Sequence, residues 1–499
     1  MNIALNELTT ACCRESFHQI KTVLDQAECI VPDVYEDIGQ IVSARAQICL
    51  KSKEIQEHTA RIGASAEIHV FYITESRERV RCMSFSKDLD ISFDSPSIDS
   101  DSAAQIALCC MGVQARAVNP RKISAQLSLR AELSCWTEGS FSIPNAVEAE
   151  TGESVQLRLG GEDCVFTSQV SEKSFVVNEQ IPLSAENNPT ALSDVSAKLI
   201  CRDSQPIGAK LLLKGEVELS IAYETPDAAA PRFLEQSLPF SVLIDMPDEN
   251  AALGRVILET TALYADLSDA INDSRVIELE LHAVVQLSFE RKETLSFLSD
   301  AFASACPTII EESSVPICRS RSRDSLTVSA SDRIRVEKER GEVVSAFADI
   351  LSYAVRDGKA ELSVAVSLLL RTEDGTFGAQ QKLLSLDGAL QKPGAAVFDA
   401  QITALRAERD GEEIVLSASA LLAYEQSENA ELRYLSSVEL DTENAFDLSS
   451  IPSLTIARKG NRDLWELAKL YHSSVEVIEK MDRDHPMTND LILIPRVLS

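Results

Sequence analysis

The sequence lacks the short motifs that usually mark a catalytic or nucleotide-binding site. It contains no GxxxxGK[ST] phosphate loop, no HExxH zinc motif and no GxSxG nucleophile turn. It has only six histidines, and they are dispersed along the chain. We therefore expect no catalytic residue, no metal site and no cofactor. An enzyme with its site in a cleft is the function class with the least support.

Long apolar runs and an export signal are also missing. No stretch approaches the roughly 18 apolar residues of a membrane span. The first residues lack a basic region followed by an apolar core. The twelve cysteines are scattered without a CxxC pair, which in a chain of 499 residues predicts reduced thiols rather than a disulfide framework. We expect a cytoplasmic protein that is not inserted into a membrane.

Positive charge is scarce, with 47 Lys and Arg against 78 Asp and Glu and a net charge of −31. Such a chain repels nucleic acid and anionic membrane surfaces, so we expect neither as a partner. The 45% of hydrophobic residues is ordinary for a globular protein. The length predicts three or four domains.

A β pattern recurs three times at an offset of about 150 residues, which indicates repeated domains. Each copy has an early alternating strand, a partner strand and a long closing strand, as expected for antiparallel sandwiches with one buried face. The partner strands are 83–91, 238–246 and 382–390. The early strands place inward Ala66, Ile68, Val70 and Tyr72; Val217, Leu219, Ile221 and Tyr223; Ala360, Leu362, Val364 and Val366. The closing strands place inward Ile123, Ala125, Leu127, Leu129, Ala131, Leu133 and Cys135; Ile277, Leu279, Leu281, Ala283, Val285 and Leu287; Ile414, Leu416, Ala418, Ala420, Leu422 and Tyr424.

The predicted fold class is therefore mainly β, with three tandem sandwich-like domains and a small terminal domain. Residues 1–28 fit either a helix or an edge strand, and residues around Gly160–Gly161 resemble a hairpin. The predicted divisions are an N-terminal extension at 1–28, domain one at 29–138, domain two with a connecting hairpin at 139–292, a linker at 293–323, a divergent domain three at 324–445 and the terminal domain at 446–499.

Several polar groups could be read as functional sites, but the sequence favours solvated surface positions or linkers for them. His69 and His282 fall on outward strand positions, where we expect solvated side chains, as for the pairs Asp88/Asp90 and Glu278/Glu280. The acidic loop 94–101 offers calcium ligands but lacks the EF-hand spacing. The run Arg319–Arg323 is either a basic docking strip or an ordinary linker, and the linker is favoured.

The terminal stretch 454–495 has the order strand, helix, helix, strand. Leu464, Leu467, Ala468 and Tyr471 follow the spacing of one helical face. Ser473 and Glu476 form an S-x-x-E pair that predicts the start of a second helix through Val475, Ile478 and Met481. Short apolar runs at 455–456 and 491–494 can pair as strands.

This order resembles a LysM module, whose usual wording is a Gly-Asp-Thr-Leu-Trp turn, an Ile-Ala-x-x-Tyr helix, a Val-x-x-hydrophobic helix and a strand that ends in Ile-Pro. The matching residues are Gly460, Leu464, Trp465, Leu467, Ala468, Tyr471, Val475, Ile478, Ile494 and Pro495. The resemblance implies a core formed by Leu464, Trp465, Ala468, Tyr471 and Ile478. We expect Trp465 to be a core residue and not a stacking platform.

LysM modules that bind N-acetylglucosamine polymers use a groove between the first strand–helix loop and the last helix–strand loop. Here the first loop is one residue longer than usual, and the second is shorter, charged and without the customary Pro-Gly. Asn489 stands at the position of that glycine. Asparagine can replace glycine there because it tolerates a left-handed backbone. These departures favour a protein partner. The predicted contact residues are Lys459, Gly460, Asn461, Arg462, Asp484, His485, Met487 and Asn489.

A second resemblance covers most of the remaining chain. Ile30-Val31-Pro32-Asp33 with Asp37-Ile38, and the strand after Arg121-Lys122, are similar to the SPOCS domain of spore-coat proteins. SPOCS copies followed by one LysM module are the layout of SipL-type spore coat morphogenetic proteins. The resemblance implies a non-enzymatic scaffold in the mother-cell cytoplasm, at the forespore surface, whose LysM domain binds the coat basement-layer ATPase or another coat protein. The alternative is a peptidoglycan-binding protein of the cell wall or spore cortex.

Overall fold

The structure, a computed structural model, describes residues 2–147, 155–183, 189–226, 228–269, 275–336, 342–390, 394–447, 450 and 452–496. It is mainly β, as predicted. Among the described residues, nineteen strands precede the terminal region, which holds two more strands and two short helices. The first nineteen are β1 Asn2–Ile3, β2 Leu5–Ile30, β3 Ile38–Gln56, β4 Thr59–Thr74, β5 Val80–Asp94, β6 Ala103–Asn119, β7 Lys122–Val147, β8 Val155–Pro182, β9 Ala191–Ile207, β10 Lys210–Glu224, β11 Arg232–Asp245, β12 Ala252–Asp269, β13 Arg275–Ala303, β14 Thr308–Arg335, β15 Glu342–Arg356, β16 Lys359–Arg371, β17 Phe377–Ala389, β18 Ala396–Asp410 and β19 Glu413–Leu440.

One six-strand plan is used three times, by β2–β7, β8–β13 and β14–β19. In each unit the second, third and fourth strands form a three-stranded meander. The long first and sixth strands pair with each other, and the fifth pairs with the sixth. The meander and the long strands enclose a separate hydrophobic core in each unit. We call these units the first, second and third domains.

The strict alternation of the predicted strands is confirmed by burial. Every inward residue predicted in the early and closing strands is less than 9% exposed. Each such residue removes its apolar surface from water, which is the main favourable contribution to folding. The partner strands lie where they were expected, in β5, β11 and β17, although the last two strands end one residue earlier than the predicted ranges. The alternation of apolar and polar residues along these strands thus predicted the core of each domain correctly.

Three expectations about the connecting stretches were wrong. Residues 5–30 are the first strand of the first domain, paired with β7 along its length, so the strand alternative agrees with the structure and the separate extension is wrong. Residues around Gly160–Gly161 form no hairpin, because β8 runs straight through them. Residues 293–323 form no linker, because they lie in β13 and β14, which are joined by a short connection. In each case the partner strand that pairs with the segment is more than 90 residues away in sequence and leaves no local signal.

The three domains pack in a closed ring in which the second strand of one lies against the fifth strand of the next. The first domain's β3 contacts β12, and the third domain's β15 contacts β6. Between the second and third domains, Lys198 Nζ of β9 donates to the carbonyl of Ala400 in β18 at 3.2 Å. The same relation thus holds at all three boundaries, as in a cyclic oligomer with head-to-tail contacts.

The centre of this ring is a small apolar cluster built from all three domains. Phe71, Phe233 and Phe347 contribute one ring each, with centroid distances of 5.3 to 5.6 Å between them. One pair is stacked, one is tilted and one is edge-on, and stacked and edge-on pairs at this distance are favourable for aromatic rings. The cluster fixes how the three meanders face one another.

A small terminal module follows the third domain. It consists of β20 Leu454–Arg458, α1 Leu464–Leu470, α2 Val475–Asp484 and β21 Leu491–Pro495. The two strands pair antiparallel, and the helices cover one face of the pair. The observed order of elements is the predicted one.

Candidate functional site

The core of the terminal module positions its loops. Trp465, Leu467, Ala468 and Ile478 are buried together with Ala457, Ile492 and Ile494 of the two strands, and Leu464, Tyr471 and Val475 pack around them. The prediction that Trp465 is a core residue is confirmed, since it is 9% exposed. This small core holds both helices against the two strands that flank the loops.

Side-chain caps fix the helix starts, though not all where the sequence suggested. Helix α1 begins with a capping box in which Asp463 accepts from the Glu466 N–H and Glu466 accepts from the Asp463 N–H. Helix α2 begins at Ser474, which accepts from the Val477 N–H at 3.2 Å. The predicted cap, Ser473, was wrong by one residue, because its hydroxyl donates to the carbonyl of Pro495 instead.

The two loops of interest lie side by side because Asp490 joins them. Its carboxylate accepts from the Gly460 N–H at 2.9 Å, and its carbonyl accepts from the Lys459 N–H at 2.9 Å. Gly460 has φ of 56°, and Asn489 and Asp490 have φ of 61° and 60°. The expectation of a left-handed backbone at Asn489 is thus confirmed. Both loops turn sharply at residue types that accept this conformation.

The eight predicted contact residues are all exposed. The structure bonds Lys459 and Gly460 to Asp490, the residue after Asn489, while Asp484 and His485 lie where α2 ends, with the His485 N–H bonded to the Met481 carbonyl at 2.8 Å. Within the described part of the chain, none of the seven side chains other than glycine's forms a hydrogen bond or ion pair. This face of the module therefore presents unpaired donors, Lys459 and Arg462 among them, to solvent.

Outside the module, a buried polar cluster appears that sequence reasoning missed. His69 was expected to be solvated but is 5% exposed. Its Nδ1 lies 3.3 Å from Asp194 of the second domain, and the same carboxylate contacts Arg45 of β3. The prediction failed because the outward face of β4 is covered by the neighbouring domain, a contact that one strand's periodicity does not reveal. His282 does lie on an exposed face, as predicted.

The arginine run is also part of a domain boundary, and neither a linker nor a docking strip. Arg321 and Arg323 bind Glu290 of β13 at 3.0 and 2.7 Å, and Arg319 binds Glu162 of β8 at 2.7 Å. Burial raises the pKa of Glu290, but hydrogen bonds and charge from the two arginines outweigh it and hold that pKa below its usual value. These ion pairs join the second and third domains.

The acidic loop and the cysteines were the remaining candidates for metal binding or disulfide formation. In the acidic loop 94–101, Asp99 Oδ1 accepts from the Asp101 N–H at 3.3 Å and from Ser100 Oγ at 3.4 Å, as in a local turn. Across the described residues no group of three or more His, Cys, Asp or Glu side chains is arranged to hold a metal ion. All twelve cysteines are free thiols.

Comparison with known proteins identifies no relative: no protein-family model, no curated protein and no solved structure matches this chain. Among the helices of the described residues, none has the length and apolar character needed to cross a membrane.

Proposed function

We propose that this chain is a non-enzymatic scaffold or adaptor in endospore coat assembly, and that its terminal LysM-type module binds a coat morphogenetic protein, the basement-layer ATPase. The proposal places the chain in the mother-cell cytoplasm at the forespore surface. It rests on the resemblance of the sequence to SPOCS domains and a LysM module. The observation that carries it is the exposed, unpaired loop face of the module at the end of a body whose domains are locked together.

Exposed apolar side chains favour a protein partner. Leu454, Ile456 and Leu470 are 46%, 60% and 53% exposed, and Met487 of the second loop is 37% exposed. These four large apolar side chains are exposed to water at the surface of a small module, where a binding partner could cover them. Anchors of this kind supply much of the binding energy in protein interfaces.

The charge distribution favours an acidic partner surface. The module carries seven basic and seven acidic residues, so the whole net charge of −31 lies in the preceding 453 residues. Lys459 and Arg462 are exposed cations in the first loop. An acidic partner repelled by the body is therefore steered towards these loops.

A peptidoglycan ligand is the second candidate, and one observation favours it. The two loops lie side by side across Asp490, which is the arrangement that glycan-binding LysM modules use. The N–H groups of Lys459 and Gly460 are already bonded to Asp490, so an acetamide group would have to use other backbone groups of the two loops. The longer first loop and the charged second loop count against this ligand.

A binding assay with the full chain distinguishes the two. We would immobilise the wild type, Arg462→Glu and the matched control Lys480→Glu, whose lysine is exposed on α2 away from the first loop. Each is exposed to lysate of sporulating cells and, separately, to insoluble peptidoglycan. Retention of the coat ATPase by the wild type and the control, but not by Arg462→Glu, is the expected result. Retention of peptidoglycan without any protein overturns the proposal and favours the second candidate.

A further inference from the structure

The side of α1 that carries Trp465 and Lys469 is in contact with the second domain. Asp300, near the end of β13 in the second domain, accepts from Trp465 Nε1 at 2.7 Å. Both of its carboxylate oxygens also bind Lys469 Nζ, at 2.8 and 2.9 Å. Charge-assisted hydrogen bonds of this kind are stronger than neutral ones. One carboxylate of the body therefore holds two side chains of the module's first helix.

Two further contacts surround this carboxylate. Phe302 of β13 is 3% exposed and meets the Trp465 ring edge to face, at a centroid distance of 4.9 Å. Phe302 thus completes the hydrophobic core of the module from outside it. Arg158 of β8 binds Asp463, the N-cap residue of α1, at 3.0 Å. Apolar packing is flanked by charged pairs on both sides, which is the composition of a specific interface.

The segment that leads into the module is also attached to the body. The Asp441 N–H donates to the Pro307 carbonyl at 2.9 Å, and the Phe446 N–H donates to the Ala305 carbonyl at 2.8 Å. The Phe446 ring then lies 4.0 Å from the ring of His472, in the module itself. The connection between β13 and β14 is therefore a second point at which the module is fixed.

We propose that Asp300, Phe302 and Arg158 form a latch that docks the terminal module on the second domain and so fixes the direction in which its loop face points. The latch binds Asp463, Trp465 and Lys469 and none of the eight predicted contact residues, and it couples docking to the module's own core through Trp465. Its biological meaning rests on the proposed function, since a rigidly held loop face presents one orientation to a partner. The existence of the latch does not depend on any partner.

Zero-length carbodiimide crosslinking of the full chain tests the central contact. The reagent joins a carboxylate to an ammonium group that touches it. We expect a peptide that links Asp300 to Lys469, lost in Asp300→Asn. The positive control is the pair Lys122–Glu28, 2.6 Å apart, with side chains of comparable exposure. If the control pair crosslinks and Asp300–Lys469 does not, the latch is wrong.

A second measurement follows the buried indole. Trp136→Phe leaves Trp465 as the single tryptophan, since the chain has two. In that background, Asp300→Ala is expected to raise the acrylamide quenching constant of Trp465 at least about twofold, because an opened contact exposes the ring. The quenching constant in Asp300→Asn should lie between those of the unchanged protein and Asp300→Ala, since the amide oxygen of asparagine still accepts from Trp465 Nε1. Asp266→Ala, an exposed aspartate of the same domain, serves as the control.

The outcomes are distinct. Increased quenching in Asp300→Ala with none in Asp266→Ala supports the latch. Equal quenching in all variants overturns it. If Asp300→Ala fails to fold, Asp300→Asn and Lys469→Met replace it with the same two readings. No partner is present in either experiment, so failure of the latch and failure of the proposed function are separate results.

Discussion

The side chain of Gln286 pairs with the backbone of Ile106 as a second peptide group would. Its Nε2 donates to the Ile106 carbonyl at 2.9 Å, and its Oε1 accepts from the Ile106 N–H at 2.9 Å. Gln286 lies on β13 of the second domain and is fully buried, and Ile106 lies on the edge strand β6 of the first domain. A side chain thus closes the edge of a neighbouring sheet.

The same device recurs at other domain boundaries. Gln47 accepts from the Ala197 N–H of the second domain at 2.9 Å, and Gln40 donates to the Ala379 carbonyl of the third at 3.1 Å. Glu259 accepts from the Leu108 N–H at 2.9 Å. Free strand edges are usually templates for unwanted pairing. In this chain, edges that meet at the boundaries are satisfied by amide and carboxyl side chains.

Replacing Gln286 should be costly. Gln286→Leu leaves both polar groups of Ile106 buried without partners and removes an acceptor of Lys53, so we expect a loss of about 2–3 kcal/mol in the free energy of unfolding. Urea denaturation measures it. The matched control is Gln180→Leu, an exposed position of β8, where the change should stay within about 0.5 kcal/mol. Equal effects at both positions would contradict the edge-closing role of Gln286.

Glu259 should make stability depend on pH. Burial raises the pKa of its carboxyl to about 8, against an unfolded value of 4.5. The folded chain therefore holds a proton that the unfolded chain has released. The contribution of this group is fully favourable below pH 4.5 and is lost as pH rises towards 8, at up to about 1.4 kcal/mol per pH unit.

The variant Glu259→Gln isolates this effect. Glutamine keeps an acceptor for the Leu108 N–H but does not titrate. We expect the variant to be more stable than the wild type at pH 8, and the difference to shrink towards pH 5. Thermal unfolding at several pH values gives the comparison. A difference that does not vary between pH 5 and pH 8 would show that Glu259 titrates normally.

Replacing either Arg45 or Asp194 alone should lower the free energy of unfolding strongly, whereas replacing both with apolar residues should lower it much less. Asp194→Ala leaves Arg45 largely buried without its carboxylate, for which we expect a loss of about 3–5 kcal/mol. The double variant Arg45→Met with Asp194→Leu removes both charges and should recover most of that loss. Denaturant unfolding of the wild type, Arg45→Met, Asp194→Leu and the double variant completes the cycle. Additive losses would mean that the two side chains do not interact.

Two adjacent glycines of β8 offer a contrast of one methyl group. A Cβ on Gly160 would lie 2.5 Å from a ring carbon of Phe297, whereas a Cβ on Gly161 would meet nothing within 4 Å. Gly160→Ala should therefore destabilise the chain by about 1–3 kcal/mol through overpacking. Gly161→Ala should be neutral or stabilising by up to about 1 kcal/mol. Thermal unfolding decides, and the reverse order of stability would refute the argument.

Within each domain, the sequence predicted well because the information is local. Ile68 and Val70 alternate with polar neighbours, and that alternation alone specifies which face is buried. The same holds for Leu467 and Ala468 on their helix. Trp465 and Asn489 were predicted from their positions in the LysM resemblance, and asparagine is a residue type that accepts a left-handed backbone.

Features that depend on distant partners were not predictable in this way. His69 and Gln286 are polar residues on outward strand positions, and nothing beside them in sequence signals that a second domain covers them. The strand character of residues 308–323 depends on pairing with 425–440, far along the chain. Asp300 similarly gains its role only when the terminal module meets it. A pattern read along one strand cannot contain these contacts.

Because the closed ring of three domains is one chain, it carries one terminal module, and each domain boundary can change independently of the others. Three separate identical subunits in this arrangement would present three equal faces and carry three terminal modules. Covalent linkage keeps the domains at high effective concentration, so each boundary can be polar and still hold. It also frees each face to change alone, as the His69–Asp194–Arg45 cluster between the first and second domains illustrates. One polypeptide thus holds the arrangement of a cyclic trimer without its exact symmetry, and it carries one terminal module in place of three.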